Sequence, residues 1–190
     1  MLNSTNQTIL HCYPGLIALI TAKHEDTQNV MSAGWHSYLS YDPAIYGVAV
    51  AKERFTYGLI QKSESFAINF VPAEYAHIIE GAGKLSGADG DKLEKLGLNW
   101  TSGETVSSPI LAISYVAYEC KVIDIQCYGD HDWIVGKITK FHQDADKFGD
   151  NGLPDFNNVE LPLYLGQSKY LIVDNGTTYK KIEIDYNSKK

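Results

Sequence analysis

Aromatic residues constrain the fold of this chain more than any other feature of its sequence. Thirteen Tyr, six Phe and three Trp make up 12% of the 190 residues, and they lie in short segments separated by Gly, Pro, Asn and Asp. Aromatic residues favour strands, whereas the separating residues favour turns. The stretch DWIVGKI, from Asp132 to Ile138, also alternates with the period of two of a strand. The sequence therefore predicts a mainly β fold with few and short helices.

We predict a sheet of six or more strands, which span residues 15–22, 30–41, 44–51, 66–71, 116–127 and 133–141. A short helix is predicted after Arg54, in RFTYGLIQKS, because apolar residues recur there four positions apart. Another helix begins with Pro72 and is expected to end at Gly81, and a shorter one follows Asp91. The Gly-, Ser-, Asn- and Asp-rich stretches 101–108 and 144–158 are predicted loops.

Length and charge limit the possible classes of protein. A chain of 190 residues is expected to form a single domain, 1–190, and its 16 basic and 23 acidic residues give a net charge of −7. That balance disfavours nucleic acid or an anionic membrane as the main partner. The apolar run 16–22 is too short to span a membrane, and the first ten residues lack a signal-peptide pattern, so we expect a cytoplasmic protein. Three cysteines without a CxxC pair indicate neither a disulfide framework nor a zinc ribbon.

A candidate anion site lies where the strand 44–51 meets the first predicted helix. Lys52, Arg54 and Thr56 occur there, beside backbone N–H groups that the start of a helix leaves unpaired. Arg54 is the single arginine of the chain, and arginine suits bidentate phosphate binding. A solvated turn carrying a short charge cluster explains the same residues and is the commoner structure.

A second candidate site is the segment NVMSAGWHSYLSYDP, from Asn29 to Pro43, in which Ser32, Ala33 and Gly34 interrupt a strand-like run. Small residues in a strand let the backbone approach a flat ligand closely, and main-chain groups can then bind the polar edge of a ring system such as a flavin. A bulge or a tight bend also requires small residues and is the commoner reason for them.

A third candidate is His131, which a Gly-Asp turn leads into a predicted strand. A histidine in this position can donate a proton to a reduced cofactor or a substrate. A turn histidine hydrogen-bonded to Asp130 or Asp132 is an equally good interpretation. No second histidine stands at metal-ligand spacing, and the chain lacks the GxSxG, P-loop and HExxH motifs, which disfavours metal, hydrolase and nucleotide-kinase chemistry.

In this order, the segments resemble the flavin reductase-like family of FMN-binding split-barrel proteins, which includes flavoredoxins and NAD(P)H:flavin oxidoreductases. The resemblance begins at Tyr13-Pro14 and covers a core of about residues 13–173, which leaves 174–190 as a C-terminal arm that could form a hairpin. The segments that carry it are GLIALITA, NVMSAGWHSYLSYDP, VAVAKERFTYGLI, SFAINFVPAE, KLSGADGDKLEKLGLNW, SPILAISYVAYECKV, GDHDWIVGKI and PLYLGQSKY.

The resemblance implies a six-stranded, Greek-key-like β-barrel with a few short helices, and a homodimer that holds FMN near the subunit interface. It implies that one strand lines the flavin ring and ribityl group, that a second segment lies at the phosphate, and that His131 lies near the flavin or an incoming nicotinamide. The residues carried over for the strand are Asn29, Met31, Ser32, Ala33, Gly34, Trp35 and Ser37. Those for the phosphate segment are Lys52, Arg54, Phe55 and Thr56.

The function that follows from the resemblance is transfer of hydride or electrons through FMN, with NAD(P)H as the expected donor and flavin or another compound as acceptor. One alternative is a flavoredoxin-type electron carrier, which exchanges electrons with a redox protein and lacks nicotinamide activity. Another is a β-barrel binding module that keeps the fold without a cofactor. The absorbance spectrum of the protein with FMN and a nicotinamide distinguishes the three.

Overall fold

The computed structural model describes residues 14–178 together with residues 4, 6 and 8. Tyr13 and most of the predicted C-terminal arm, 179–190, lie outside the described residues. Within the arm, the expected Asn175-Gly176 turn is present, and Thr177 N donates to Asp174 O at 3.1 Å.

The described residues form three sheets and three short α-helices. The strands are β1 (Gly15–Leu16), β2 (Ala18–His24), β3 (Thr27–Ala33), β4 (His36–Tyr41), β5 (Ala44–Ala51), β6 (Ser65–Phe70), β7 (Trp100–Ser102), β8 (Pro109–Leu111), β9 (Val116–Tyr128), β10 (His131–Gln143), β11 (Leu161–Gly166) and β12 (Lys169–Val173). The helices are α1 (Phe55–Ser63), α2 (Ala76–Lys84) and α3 (Lys92–Lys95). The prediction of a mainly β chain with few and short helices is confirmed.

The main sheet contains seven strands in the order β3-β2-β6-β9-β10-β5-β4. Its two edge strands, β3 and β4, are joined by only the two residues Gly34 and Trp35, so the two edges of the sheet meet at this connection. The edges are not paired with each other as neighbouring strands, and the barrel is therefore split. A smaller sheet, β1-β11-β12, and the two-stranded sheet β7-β8 complete the structure.

The predicted single strand 30–41 is divided at Gly34-Trp35, so the six predicted strands correspond to seven in the main sheet, in agreement with the prediction of six or more. Trp35 O accepts a hydrogen bond from Ala49 N at 2.9 Å, so the bend turns the chain onto β5. A Cβ atom at Gly34 would lie 3.2 Å from Ile17 Cδ1, which favours glycine there. Of the three small residues, Gly34 therefore lies in a bend, as one of the two interpretations expected, whereas Ser32 and Ala33 belong to β3.

The prediction that the second helix ends at Gly81 is wrong. A 3-10 turn, Ala73–Tyr75, leads into α2, which continues to Lys84. A Cβ atom at Gly81 would lie 2.5 Å from Leu96 Cδ2, so this glycine gives room for the residue that follows α3. Close packing against Leu96, and not the end of a helix, is the physical reason for a glycine here.

The prediction of a loop at 101–108 is also partly wrong, because Thr101 and Ser102 belong to β7. The rest of this loop surrounds the buried Glu119, whose carboxylate accepts hydrogen bonds from Thr105 N, Thr105 Oγ1 and Val106 N at 2.6, 2.6 and 3.1 Å. Burial alone would raise the pKa of Glu119, but hydrogen bonds from Thr105, His142 and the loop backbone lower it to about 2. The predicted loop 144–158 contains a single short 3-10 turn, Ala145–Lys147.

Two apolar clusters lie on opposite faces of β2. Ile20 faces the interior of the barrel, where it belongs to one cluster with Phe66 and Ile134, whereas Leu19 packs with Ile79 and Leu93 outside the barrel. This division follows from the alternation of side chains along a strand. The outer cluster holds α2 and α3 beside β3, and the cleft described next lies between these elements.

Candidate cofactor cleft

A cleft of about 660 Å³ lies between β3, the start of α1, the end of α2 and the β11–β12 hairpin. Its volume is within the usual range for a small-molecule site. Ten of the sequence-predicted site residues line it: Asn29, Met31, Ser32, Ala33, Gly34, Trp35, Arg54, Phe55, Thr56 and His131. Ser37 and Lys52 do not line it.

The first turn of α1 forms one end of the cleft. Arg54 is the N-cap residue and makes no side-chain capping bond, and no acidic residue occurs in this turn. The N–H groups of Phe55 and Thr56 have no acceptor within the helix, because the first turn lacks preceding carbonyls. Together with the helix dipole, these groups favour an anion at this end.

Asn29 connects β3 to this helix start. It is 2% exposed, and its Nδ2 donates to Thr56 Oγ1 at 2.8 Å. Its Oδ1 is buried without a hydrogen-bond partner among the described residues. An unpaired buried acceptor costs free energy, so a ligand with a hydrogen-bond donor fits the wall at this point.

Lys92 is a cation of the cleft that sequence reasoning missed. It is 3% exposed, and its Nζ donates to Ala82 O at 2.6 Å. Burial, and then repulsion by Arg54, lower the pKa of Lys92 to about 8. Among the described residues, neither Lys92 nor Arg54 forms an ion pair with a carboxylate. Two uncompensated cations therefore lie at the same end of the cleft as the α1 N–H groups.

The opposite wall joins α2 to the β11–β12 hairpin and also contains residues that the sequence did not indicate. Glu80 accepts hydrogen bonds from Ser168 Oγ and Tyr170 Oη, both at 2.7 Å, and its Oε2 lies 3.2 Å from Lys84 Nζ. Gln167 and Ser168 form the hairpin turn, in left-handed backbone conformations. These bonds hold the hairpin against α2 along one side of the cleft.

Lys52 and Ser37 lie elsewhere. Lys52 Nζ is 3.4 Å from Asp132 Oδ1 and donates to Cys127 Sγ at 3.6 Å, so its charge is directed to β9 and β10. Asp132 Oδ2 accepts a hydrogen bond from Tyr57 Oη at 2.5 Å. Ser37 is exposed on β4, beyond the Gly34-Trp35 bend, and its Oγ donates to Tyr38 O at 3.0 Å.

His131 lies at the first position of β10, opposite Ala51 of β5. Its Nδ1 is 2.8 Å from Asp130 Oδ1, and its ring centroid is 4.9 Å from that of Trp35. His131 meets both interpretations, because it lines the cleft and also contacts the neighbouring carboxylate. His131 and Trp35 further line a second cleft, of about 400 Å³, together with Ala49, Tyr128, Asp130 and Trp133.

Within residues 14–178, no helix has the length and apolar character needed to cross a membrane. The cleft as a whole combines a cationic end, formed by Arg54, Lys92 and the start of α1, with an aromatic end at Trp35 and His131. An elongated ligand with a phosphate at one end and a ring at the other matches this arrangement.

The flavin reductase like domain matches residues 10–173 of the chain. An uncharacterized protein from Pyrococcus abyssi is 34% identical over 143 residues, which are 75% of this chain and 81% of that protein. The FMN-binding protein from Thermus thermophilus, solved with bound 1-cyclohex-2-enone, is 29% identical with a TM-score of 0.84, over 95% of this chain and 100% of that one. Flavoredoxin of Desulfovibrio vulgaris is 25% identical with a TM-score of 0.82, over the full length of both chains. This chain therefore belongs to the flavin reductase-like family and has its split-barrel fold.

Proposed function

We propose that this chain is an FMN-dependent oxidoreductase that takes electrons from NAD(P)H and passes them to flavin or to another acceptor. The observation that carries the proposal is the presence of two cations, Arg54 and Lys92, which lie beside the start of α1 without a carboxylate partner among the described residues. A phosphate monoester matches this end of the cleft, and the FMN-binding relatives make FMN the preferred ligand.

Arg54, Lys92 and the N–H groups of Phe55 and Thr56 would hold the phosphate. Arg54 can form two parallel hydrogen bonds with phosphate oxygens, whereas Lys92 acts as a point charge whose position is fixed by Ala82 O. Asn29 Oδ1 would accept a hydrogen bond from a hydroxyl or N–H group of the cofactor.

The aromatic end would hold the flavin ring. Ala33 and Gly34 leave the backbone accessible to a flat ring, and the indole of Trp35 provides an apolar contact surface. FMN supplies the redox chemistry when bound, because its ring accepts a hydride and releases electrons singly or in pairs. The contribution of His131 is a proton, held on a ring whose orientation Asp130 restricts.

The test is an absorbance spectrum of the purified protein before and after addition of FMN, followed under anaerobic conditions by NADH and then NADPH. Flavin bands that bleach with either nicotinamide support the reductase. Bands that bleach only with dithionite support the second candidate, an electron carrier, which the similarity to flavoredoxin favours. A protein that never binds flavin refutes both and leaves a cofactor-free β-barrel module.

We further propose that the active species is a homodimer. An aromatic cluster on β4, β9 and β10 consists of the exposed Tyr38, Tyr41 and Phe141 and the half-buried Tyr118, and Tyr41 is 90% exposed. Contiguous exposed rings of this kind mark interaction surfaces, and a second copy of the chain brings an identical cluster. Light scattering should give twice the mass of one chain, and Tyr41→Asp should yield monomers. A wild-type monomer at all concentrations excludes the dimer.

A further inference from the structure

We propose that the second cleft binds an uncharged, planar electron acceptor of the quinone class. The inference rests on the proposed function, because the electrons come from a flavin in the first cleft. The two clefts share Trp35, Ala49 and His131, so a ring in the second cleft would contact the same side chains that line the ring end of the first.

The walls of the second cleft suit a flat ring. Tyr128 is 70% exposed and Trp35 is 44% exposed, although large aromatic side chains are usually covered. Trp133 packs onto β5 at Gly47, where a Cβ atom would lie 2.5 Å from the indole, so a glycine is needed for this position of the ring. With Ala49 beside it, the cleft presents three aromatic surfaces around about 400 Å³. Stacking between such surfaces favours a planar ligand.

The charges of the two clefts differ, and this difference selects the kind of ligand. Arg54, Lys84 and Lys92 line the first cleft, whereas no lysine or arginine of the described residues lines the second. The charge at the second cleft is that of the Asp130 carboxylate, whose pKa is lowered by its hydrogen bond with His131. A phosphorylated ligand would be repelled there, and an uncharged ring would not.

His131 provides the proton chemistry that reduction of a quinone requires. Its Nδ1 contacts Asp130 Oδ1, and its Nε2 has no hydrogen-bond partner in the part of the chain that the structure describes, so Nε2 can hydrogen-bond a quinone oxygen. Reduction adds two electrons and two protons to the quinone, which becomes a hydroquinone, while the reduced flavin loses two electrons and two protons. One proton reaches the quinone together with the two electrons of the flavin, and His131 gives the other to a quinone oxygen. The second flavin proton is released to water, from which His131 is reprotonated.

Duroquinone is a suitable probe, because its ring is fully substituted and cannot alkylate the exposed Cys127. The FMN-loaded protein is reduced with dithionite, and its reoxidation is followed against duroquinone concentration. Binding to the oxidised protein is measured separately, from quenching of tryptophan fluorescence. Tyr128→Ala tests the wall, Tyr128→Phe retains the ring, and Leu153→Ala removes a side chain of similar exposure in a distant loop.

We expect saturable binding and reoxidation, with the dissociation constant and the half-saturating concentration for duroquinone raised about ten-fold in Tyr128→Ala. Tyr128→Phe and Leu153→Ala should behave as the wild type, and FMN affinity should be the same in all four proteins. Non-saturable reoxidation, or a Tyr128→Ala variant that behaves as the wild type, overturns the proposal. So does a change of oligomeric state in Tyr128→Ala, which would make the cleft a subunit contact. Failure of the proposed function is distinguishable, because the flavin would then not be bleached by NADH or NADPH, which is measured before any quinone is added.

Discussion

Replacement of Arg54 tests the cationic end of the cleft most directly. Arg54→Ala removes a guanidinium that has no carboxylate partner among the described residues, so no buried acid is left unpaired in the variant. Charge-assisted hydrogen bonds contribute about 1 to 3 kcal/mol, which corresponds to a dissociation constant for FMN raised about 5- to 150-fold. Part of the lost FMN affinity should be regained through Lys92, because removal of Arg54 raises the pKa of Lys92 and makes it more fully protonated in the variant.

The assay is titration of the flavin-free protein with FMN, followed by quenching of flavin fluorescence, and repeated with riboflavin, which lacks the phosphate. Arg54→Ala should weaken FMN binding and leave riboflavin binding unchanged, because only the phosphate contact is lost. Lys52→Ala is the matched control, since it removes a cation two positions away that contacts Asp132 and Cys127. Equal effects of Arg54→Ala on both flavins, or no effect on FMN, would refute the assignment of the phosphate end.

Further predictions concern pH, packing and a buried carboxylate. Because burial and the neighbouring guanidinium lower the pKa of Lys92 to about 8, FMN affinity measured by calorimetry should fall as the pH rises from about 7 to 9, and Lys92→Met should remove this dependence. Gly136→Ala would place a Cβ atom 2.7 Å from Phe66 Cζ in the core, and denaturant unfolding should show that the free energy of unfolding falls by about 1 to 3 kcal/mol. The matched change Gly58→Ala, with no atom within 4 Å of the new Cβ, should stabilise α1 by about 0.4 to 1 kcal/mol. The pKa of Glu119 is lowered to about 2, so the contribution of its carboxylate to stability is present above pH ~4.3 and is lost toward pH 2. Glu119→Gln should therefore lower the free energy of unfolding by about 1 to 3 kcal/mol at neutral pH, and this difference from the wild type should shrink on acidification.

The strands could be predicted where alternation and turn residues act locally. The strand predicted at 44–51 coincides with β5, and those at 116–127 and 133–141 differ from β9 and β10 by at most two residues at either end. The β1-β11-β12 sheet was not predicted, because β1 has two residues and its pairing with β11 joins distant parts of the chain. Gly81 illustrates the same limit, since its role depends on Leu96, the residue that follows another helix, α3.

The site shows why sequence neighbours are a poor guide to neighbours in space. Lys52 and Arg54 are two positions apart, but the chain turns between β5 and α1, where Arg54 N bonds to Ala51 O, and the two side chains diverge. The second cation of the cleft comes instead from Lys92, which in sequence resembles an exposed lysine of a short polar helix. Asp91 fixes the position of Lys92, because the Asp91 carboxylate accepts hydrogen bonds from Leu93 N and Glu94 N at the start of α3.

The cationic end of the cleft also explains how an acidic protein can bind a phosphate. The net charge of −7 describes the field at long range, which disfavours polyanions, but it does not describe a cleft. At short range, the lining carries Arg54, Lys84 and Lys92 against Glu53 and Glu80, and Lys84 and Glu80 lie 3.2 Å apart and largely offset each other. Arg54 and Lys92 then face Glu53 alone, which leaves a surplus of one positive charge at the end of the cleft where the N–H groups of α1 also lie. A single phosphate on a small molecule can use this surplus, whereas an extended polyanion would also experience the net negative charge of the whole protein.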